Sequence, residues 1–99
     1  MTQTRPKVLV VDDEENIVFL IESALGLAGY DTEAAATGEA CLKQVTAFRP
    51  DALVLDVMLP GIDGLEVLRQ LRTFSEVYVI LVTARSEEVD KLIGLGVGA

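Results

Sequence analysis

Lys7-Val-Leu-Val-Val-Asp-Asp-Glu-Glu15 sets a short β-branched run directly against four acids. Such a run reads as a strand buried on both faces, which places its two aspartates at the carboxyl end of a strand. The pattern recurs downstream. Ala52-Leu-Val-Leu55 is a second apolar run and ends at Asp56, and Tyr78-Val-Ile-Leu-Val-Thr83 is a third and ends at a hydroxyl.

Helical periods fill the intervals. Ile17, Leu20, Ile21, Ala24 and Ala28 follow the i, i+3, i+4, i+7 rule, and Gly29 stops that helix. Thr32-Glu-Ala-Ala-Ala36 is a weaker strand, placed by the alternation. A helix from about Gly38 turns Cys41, Leu42 and Val45 inward, with Pro50 just beyond its end. Val57-Met-Leu-Pro-Gly-Ile-Asp-Gly64 is a loop, and Asp63 caps the helix marked by Leu65, Leu68 and Leu71, which runs to about Thr73. Ser86 caps a final helix with Val89, Leu92 and Ile93 apolar. The order βαβαβαβα predicts a doubly wound parallel sheet with helices on both faces.

Composition narrows the chemistry. The 99 residues make one small domain, with 16 acidic residues against eight basic ones, a net charge of −8 and no histidine. Clustered Lys and Arg for a nucleic-acid backbone are missing, and imidazole catalysis or ligation is excluded. The single Cys41 forms no internal disulfide and fits a reducing, cytoplasmic setting. It packs inward as a small hydrophobe. No apolar run has the length of a bilayer span. Phe19, Phe48 and Phe74 read as packing residues, and Arg69 and Arg72 as a solvated helix face.

In parallel α/β sheets, ligands bind outside the carboxyl ends of the strands. Asp12, Asp13, Asp56, Thr83 and Ala84 all fall there, whereas Asp31 and Asp51 begin strands and lie on the opposite edge. Taken alone, Asp12 or Asp13 reads as a helix cap, whereas Asp56 closes a fully apolar run in the middle of the sheet and is harder to explain that way. Together they repel unless a cation compensates them. Mg²⁺ or Mn²⁺ suits an all-oxygen set, with Asp13 and Asp56 as direct ligands and Asp12 holding a metal-bound water. A carboxylate beside such an ion can serve as a nucleophile toward phosphorus and become an acyl phosphate. Thr83 and the backbone N–H groups near Met58 and Ala84 then supply donors to phosphate oxygens.

Lys7-Val-Leu-Val-Val-Asp-Asp-Glu-Glu15, Leu55-Asp-Val-Met-Leu-Pro-Gly-Ile-Asp-Gly64 and Leu81-Val-Thr-Ala-Arg85 together resemble a bacterial response-regulator receiver domain. The Met-Leu-Pro-Gly-x-Asp-Gly version is similar to receivers that precede a winged-helix DNA-binding domain. The resemblance implies a flavodoxin-like fold in which Asp56 accepts phosphate from the phosphohistidine of a sensor histidine kinase. It also implies a metal held by Asp12, Asp13, Asp56 and the Met58 carbonyl, with Thr83 as switch residue and Met58 and Arg85 tuning the lifetime of the phosphorylated state.

The chain departs from the family pattern at its end. Gly94-Leu-Gly-Val-Gly-Ala99 is normally followed by a fifth strand, a Lys-Pro pair and a fifth helix, so residues 1–99 read as a receiver domain without its last strand and helix. The phosphate-contacting lysine has no counterpart here. Slow or undetectable phosphorylation is therefore expected, along with poor solubility, self-association or domain swapping through the exposed Tyr78–Thr83 edge and the last helix. Three other readings compete. A flavin-type nucleotide module needs a Gly-rich turn where Asp12-Asp-Glu-Glu15 stands. A phosphatase needs an acid soon after Asp56, where Val57, Met58 and Leu59 follow. An inert structural or dimerising fragment is separated from the receiver by Mg²⁺ binding. No nucleic acid or membrane is expected to bind this chain, and no turnover of an external substrate is expected.

Overall fold

Four five-residue strands, Lys7–Val11 (β1), Asp31–Ala35 (β2), Ala52–Asp56 (β3) and Tyr78–Val82 (β4), alternate with three helices, Glu15–Leu27 (α1), Gly38–Phe48 (α2) and Gly64–Leu71 (α3). This is the order in the computed structural model, which describes residues 5–82. The strands form one parallel sheet in the order β2-β1-β3-β4. That is the expected flavodoxin-like, doubly wound arrangement. Thr83, Ala84, Arg85 and the helix expected from Ser86 lie outside the described residues.

The period-2 alternation of the strands divides the apolar side chains between two faces. Leu9, Val11, Leu53, Leu55, Val79 and Leu81 join Cys41 and Val45 of α2 and Val67 and Leu71 of α3 in one buried cluster. Val8 and Val10, also buried, alternate to the other face, where α1 packs over β1 and β2. On the same alternation Tyr78 and Ile80 of β4 remain 55% and 42% exposed. Strand β2, with the sequence Asp-Thr-Glu-Ala-Ala, is an edge strand with one buried residue, Ala35. This explains why its apolar signal is faint.

Two helices bury a different stripe from the one their spacing predicts. In α1 no residue is fully buried. Ile17, Val18, Ile21 and Leu25 are half-buried, whereas Leu20, Ala24 and Ala28 are exposed. The helix is apolar nearly all round, so spacing alone does not choose the stripe; its seat on β1 and β2 does. In α3 Leu71 is buried and Leu68 packs against the core as the spacing predicts, but Val67 and Gly64 turn inward where Leu65 was expected, and Leu65 is 44% exposed. Phe19 and Phe74, expected to pack, are 69% and 54% exposed, whereas Phe48 packs against the core. Cys41 is buried as expected, and burial pushes its thiol up to about 12.

The helix ends have local causes. Thr37 Oγ1 accepts the Ala40 N–H at 3.1 Å at the start of α2, a cap the spacing had not singled out. Asp63 Oδ1 accepts the Glu66 N–H at 2.9 Å and caps α3 as expected. Helix α2 ends at Arg49, the one described non-glycine residue with positive φ, at φ 54° and ψ 60°. A side chain in this conformation costs about 1–2 kcal/mol, against about 0.4–1 kcal/mol for the extra unfolded-state freedom of a glycine. Arg49→Gly should therefore stabilise the chain by on the order of 0.5 kcal/mol in urea unfolding. A lower urea midpoint would contradict this.

Candidate metal centre

The site is built by register. Val11 of β1 pairs with Leu55 of β3, so the next residues, Asp12 and Asp56, end adjacent strands at one level. Neighbouring strands lie about 4.8 Å apart, so the two carboxylates meet without any long-range loop. Asp13 follows directly on the turn into α1. One carboxylate oxygen from each of Asp12, Asp13 and Asp56 lies within 4.8 Å of the others. Sequence placed these three together, and the structure brings them together.

The two strand-end acids are held alike. Asp12 Oδ1 accepts the Glu14 N–H at 2.9 Å, and Asp56 Oδ1 accepts the Met58 N–H at 3.0 Å. Each is a side chain bonded to the backbone two residues on, the Asx-type turn. Capping therefore does not account for Asp12 or Asp13. The N-cap of α1 is Glu14, with no side-chain cap bond. Asp12 and Asp56 are each 8% exposed, and Asp13 is open to solvent.

Burial, first, then the charges of Asp12, Asp13 and Glu14, hold the Asp56 carboxyl above its ordinary value; the Met58 N–H opposes them. A cation is the natural relief of that repulsion. The donors are all carboxylate oxygens, which matches Mg²⁺ or Mn²⁺ and no soft metal. A cleft of about 470 Å³ beside Asp12 and Asp13 opens toward Phe19, Glu22 and Ala34. It leaves the exposed side of the cluster accessible, and its Phe19 and Glu22 were not singled out as site residues from the sequence.

The other acids fall elsewhere. Asp31 and Asp51 lie at the amino ends of the strands, as expected, and each has a partner there. Asp51 Oδ2 accepts the Lys7 N–H at 2.8 Å, tying β3 to the start of β1, and Asp31 pairs with Arg5 at 3.5 Å. On α3, Glu66 accepts from Arg69 Nε at 2.9 Å and from Gln70, which draws its carboxyl down to about 2. Thr83, Ala84 and Arg85 lie outside the described residues. Among the described residues no helix is long and apolar enough to cross a membrane.

The model of the response regulator receiver domain family matches residues 8–99. The alkaline phosphatase synthesis transcriptional regulatory protein PhoP of Bacillus subtilis is 49% identical over 94 residues, which are 94% of this chain and 39% of that protein. The chain thus spans less than half of that relative. A crystal structure of the response regulator protein TrrA from Thermotoga maritima in complex with Mg(2+)-BeF is 37% identical with a TM-score of 0.81, covering 92% of this chain and 80% of that one. A crystal structure of the histidine kinase ThkA in complex with TrrA matches at 40% identity and a TM-score of 0.75, over 80% of this chain and 69% of that one.

Proposed function

The chain belongs to the response regulator receiver domain family, and on that premise we propose that it is a phosphorelay receiver whose Asp56 takes a phosphoryl group from the phosphohistidine of a sensor histidine kinase. The observation that carries this reading is the meeting of Asp12, Asp13 and Asp56 oxygens within 4.8 Å at the carboxyl edge of the sheet. The kinase complex of TrrA supports the partner class.

Asp56 is the nucleophile because it stands at the end of an interior strand, β3, with one oxygen anchored on the Met58 N–H. Its Oδ2 attacks phosphorus in line. The new O–P bond forms as the P–N bond to the donor imidazole breaks, and the imidazole leaves with the electron pair and takes up a proton. Asp13 and Asp56 would hold Mg²⁺ directly, with Asp12 holding a water and the Met58 carbonyl completing the protein ligands. Bound there, the ion supplies charge neutralisation for the phosphoryl oxygens. Thr83 follows Val82, which pairs with Asp56, and it donates its hydroxyl to a phosphoryl oxygen along with the Ala84 N–H. Met58, 51% exposed beside Asp56, and Arg85 regulate access of water to the acyl phosphate. No external substrate is turned over. The phosphorylated state switches an output, which the relatives named as transcriptional regulatory proteins suggest is a DNA-binding domain.

Intact mass after incubation with Mg²⁺ and a small phosphodonor tests the reading. The expected result is a gain of one phosphoryl group that disappears with a chelator and in Asp56→Asn. An equal gain in the variant would remove Asp56 as acceptor, and no gain in the folded wild type over a long incubation would overturn phosphoryl transfer to this chain.

A further inference from the structure

Gly64 opens α3, and its φ is outside the left-handed region; among the described glycines only Gly29 and Gly61 have positive φ. Backbone conformation therefore does not require glycine at this position. Space does. A Cβ at residue 64 would run into the carbonyl oxygen of Asp56, with Val57 Cα at 2.7 Å and the Asp56 carbonyl carbon at 3.0 Å. All three are backbone atoms, and that backbone is pinned on both sides. The Val57 N–H donates to the Val82 carbonyl at 3.0 Å, and the Gly64 N–H donates to the Val57 carbonyl at 3.0 Å. Gly38 is just as crowded, but a Cβ there meets the side chains of Val67 and Ile62. Those atoms belong to side chains of α3 and of the loop before it, and neither is part of the peptide that carries Asp56.

We propose that Gly64 is a positioning residue for the Asp56 carboxylate. By having no side chain it lets α3 seat against the peptide that carries Asp56, which keeps that carboxylate on the Met58 N–H and within reach of Asp12 and Asp13. The inference rests on the proposed metal-binding role of the cluster. A Cβ at 64 shifts the Asp56 peptide, and three carboxylates that must converge on one ion lose their common centre.

The test is a Mn²⁺ titration followed by electron paramagnetic resonance on the wild-type chain, Gly64→Ala and Gly38→Ala. All three are held in trimethylamine N-oxide, which favours the folded state of a weakened variant. Gly64→Ala should bind Mn²⁺ about tenfold or more weakly, the usual scale when a residue that orients a metal ligand is lost. Gly38→Ala should leave the constant essentially unchanged whatever its melting temperature. In the metal-free proteins the Met58 amide resonance should move in Gly64→Ala and stay in place in Gly38→Ala. A wild-type Mn²⁺ constant in Gly64→Ala overturns the proposal, and so does equal weakening in both variants. A Gly64→Ala chain that stays unfolded in the osmolyte overturns it too, because the glycine then serves the fold and not the site. Absence of Mn²⁺ binding by the wild type would instead remove the metal role on which the inference rests.

Discussion

Asp56→Asn should melt at a higher temperature than the wild type at neutral pH without metal, and the order should reverse in saturating Mg²⁺. The first half follows from the raised carboxyl of Asp56, whose causes are burial and then its acidic neighbours. Between the ordinary value of 3.8 and the raised one, the native state binds more protons than the unfolded chain. Metal-free stability therefore falls as pH rises through that window, and the charge of Asp56 is fully destabilising above it. Asparagine removes the charge and keeps an oxygen for the Met58 N–H. The gain should be on the order of 1 kcal/mol, the common scale for relieving a functional site, which raises the melting temperature by roughly 4–8 °C in a chain of this size. Below the ordinary carboxylate value the wild-type group is protonated and the difference should vanish.

The second half follows from mass action. A ligand present at a hundredfold excess over its dissociation constant stabilises the native state by about 2.7 kcal/mol. The wild type would keep all of this and Asp56→Asn only part, having lost one of the three carboxylates that meet within 4.8 Å. Thermal melts followed by circular dichroism, at neutral and acid pH and with and without Mg²⁺, give all the comparisons. A destabilised metal-free Asp56→Asn at neutral pH would refute the electrostatic account. An unchanged Mg²⁺ increment in the variant would refute Asp56 as a ligand.

Leu53→Ala should bring the largest loss of stability, about 2–5 kcal/mol for a buried leucine cut to alanine. Leu53 is fully buried in β3, level with Leu9 of β1 and Val79 of β4. These three side chains form a row across the sheet under α2 and α3. Strands on both sides are fixed by their hydrogen bonds, so the site has little freedom to collapse around the missing atoms. Against a total stability of about 5–15 kcal/mol, the urea midpoint should fall by roughly 1–3 M. Ile80→Ala, on the opposite face of β4 and 42% exposed, should stay within about 0.5 kcal/mol of the wild type. Equal losses in the two variants would mean that the core does not lie on the α2 and α3 side of the sheet.

Much of this architecture is present in single stretches of the chain. Val8–Val11 and Ala52–Leu55 are strands because unbroken apolar runs find cover only in the middle layer of the fold, and Tyr78–Val82 follows the same pattern with one face exposed. Asp63 caps α3 because its side chain reaches a backbone N–H three residues away. Strand alternation alone was enough to send Asp12, Asp13 and Asp56 to one edge. These are local facts, settled by residues within a few positions of each other. Tertiary structure decided what depends on residues far apart in the chain. Register set Asp12 beside Asp56. The seat on β1 and β2 chose the buried stripe of α1, where an almost wholly apolar helix offered several. Gly64, the last residue of the loop stretch in the sequence, opens α3 against the Asp56 peptide. The physical reason is common to all three: hydrophobic periodicity states how much of an element is buried, and only the packed neighbour states against what.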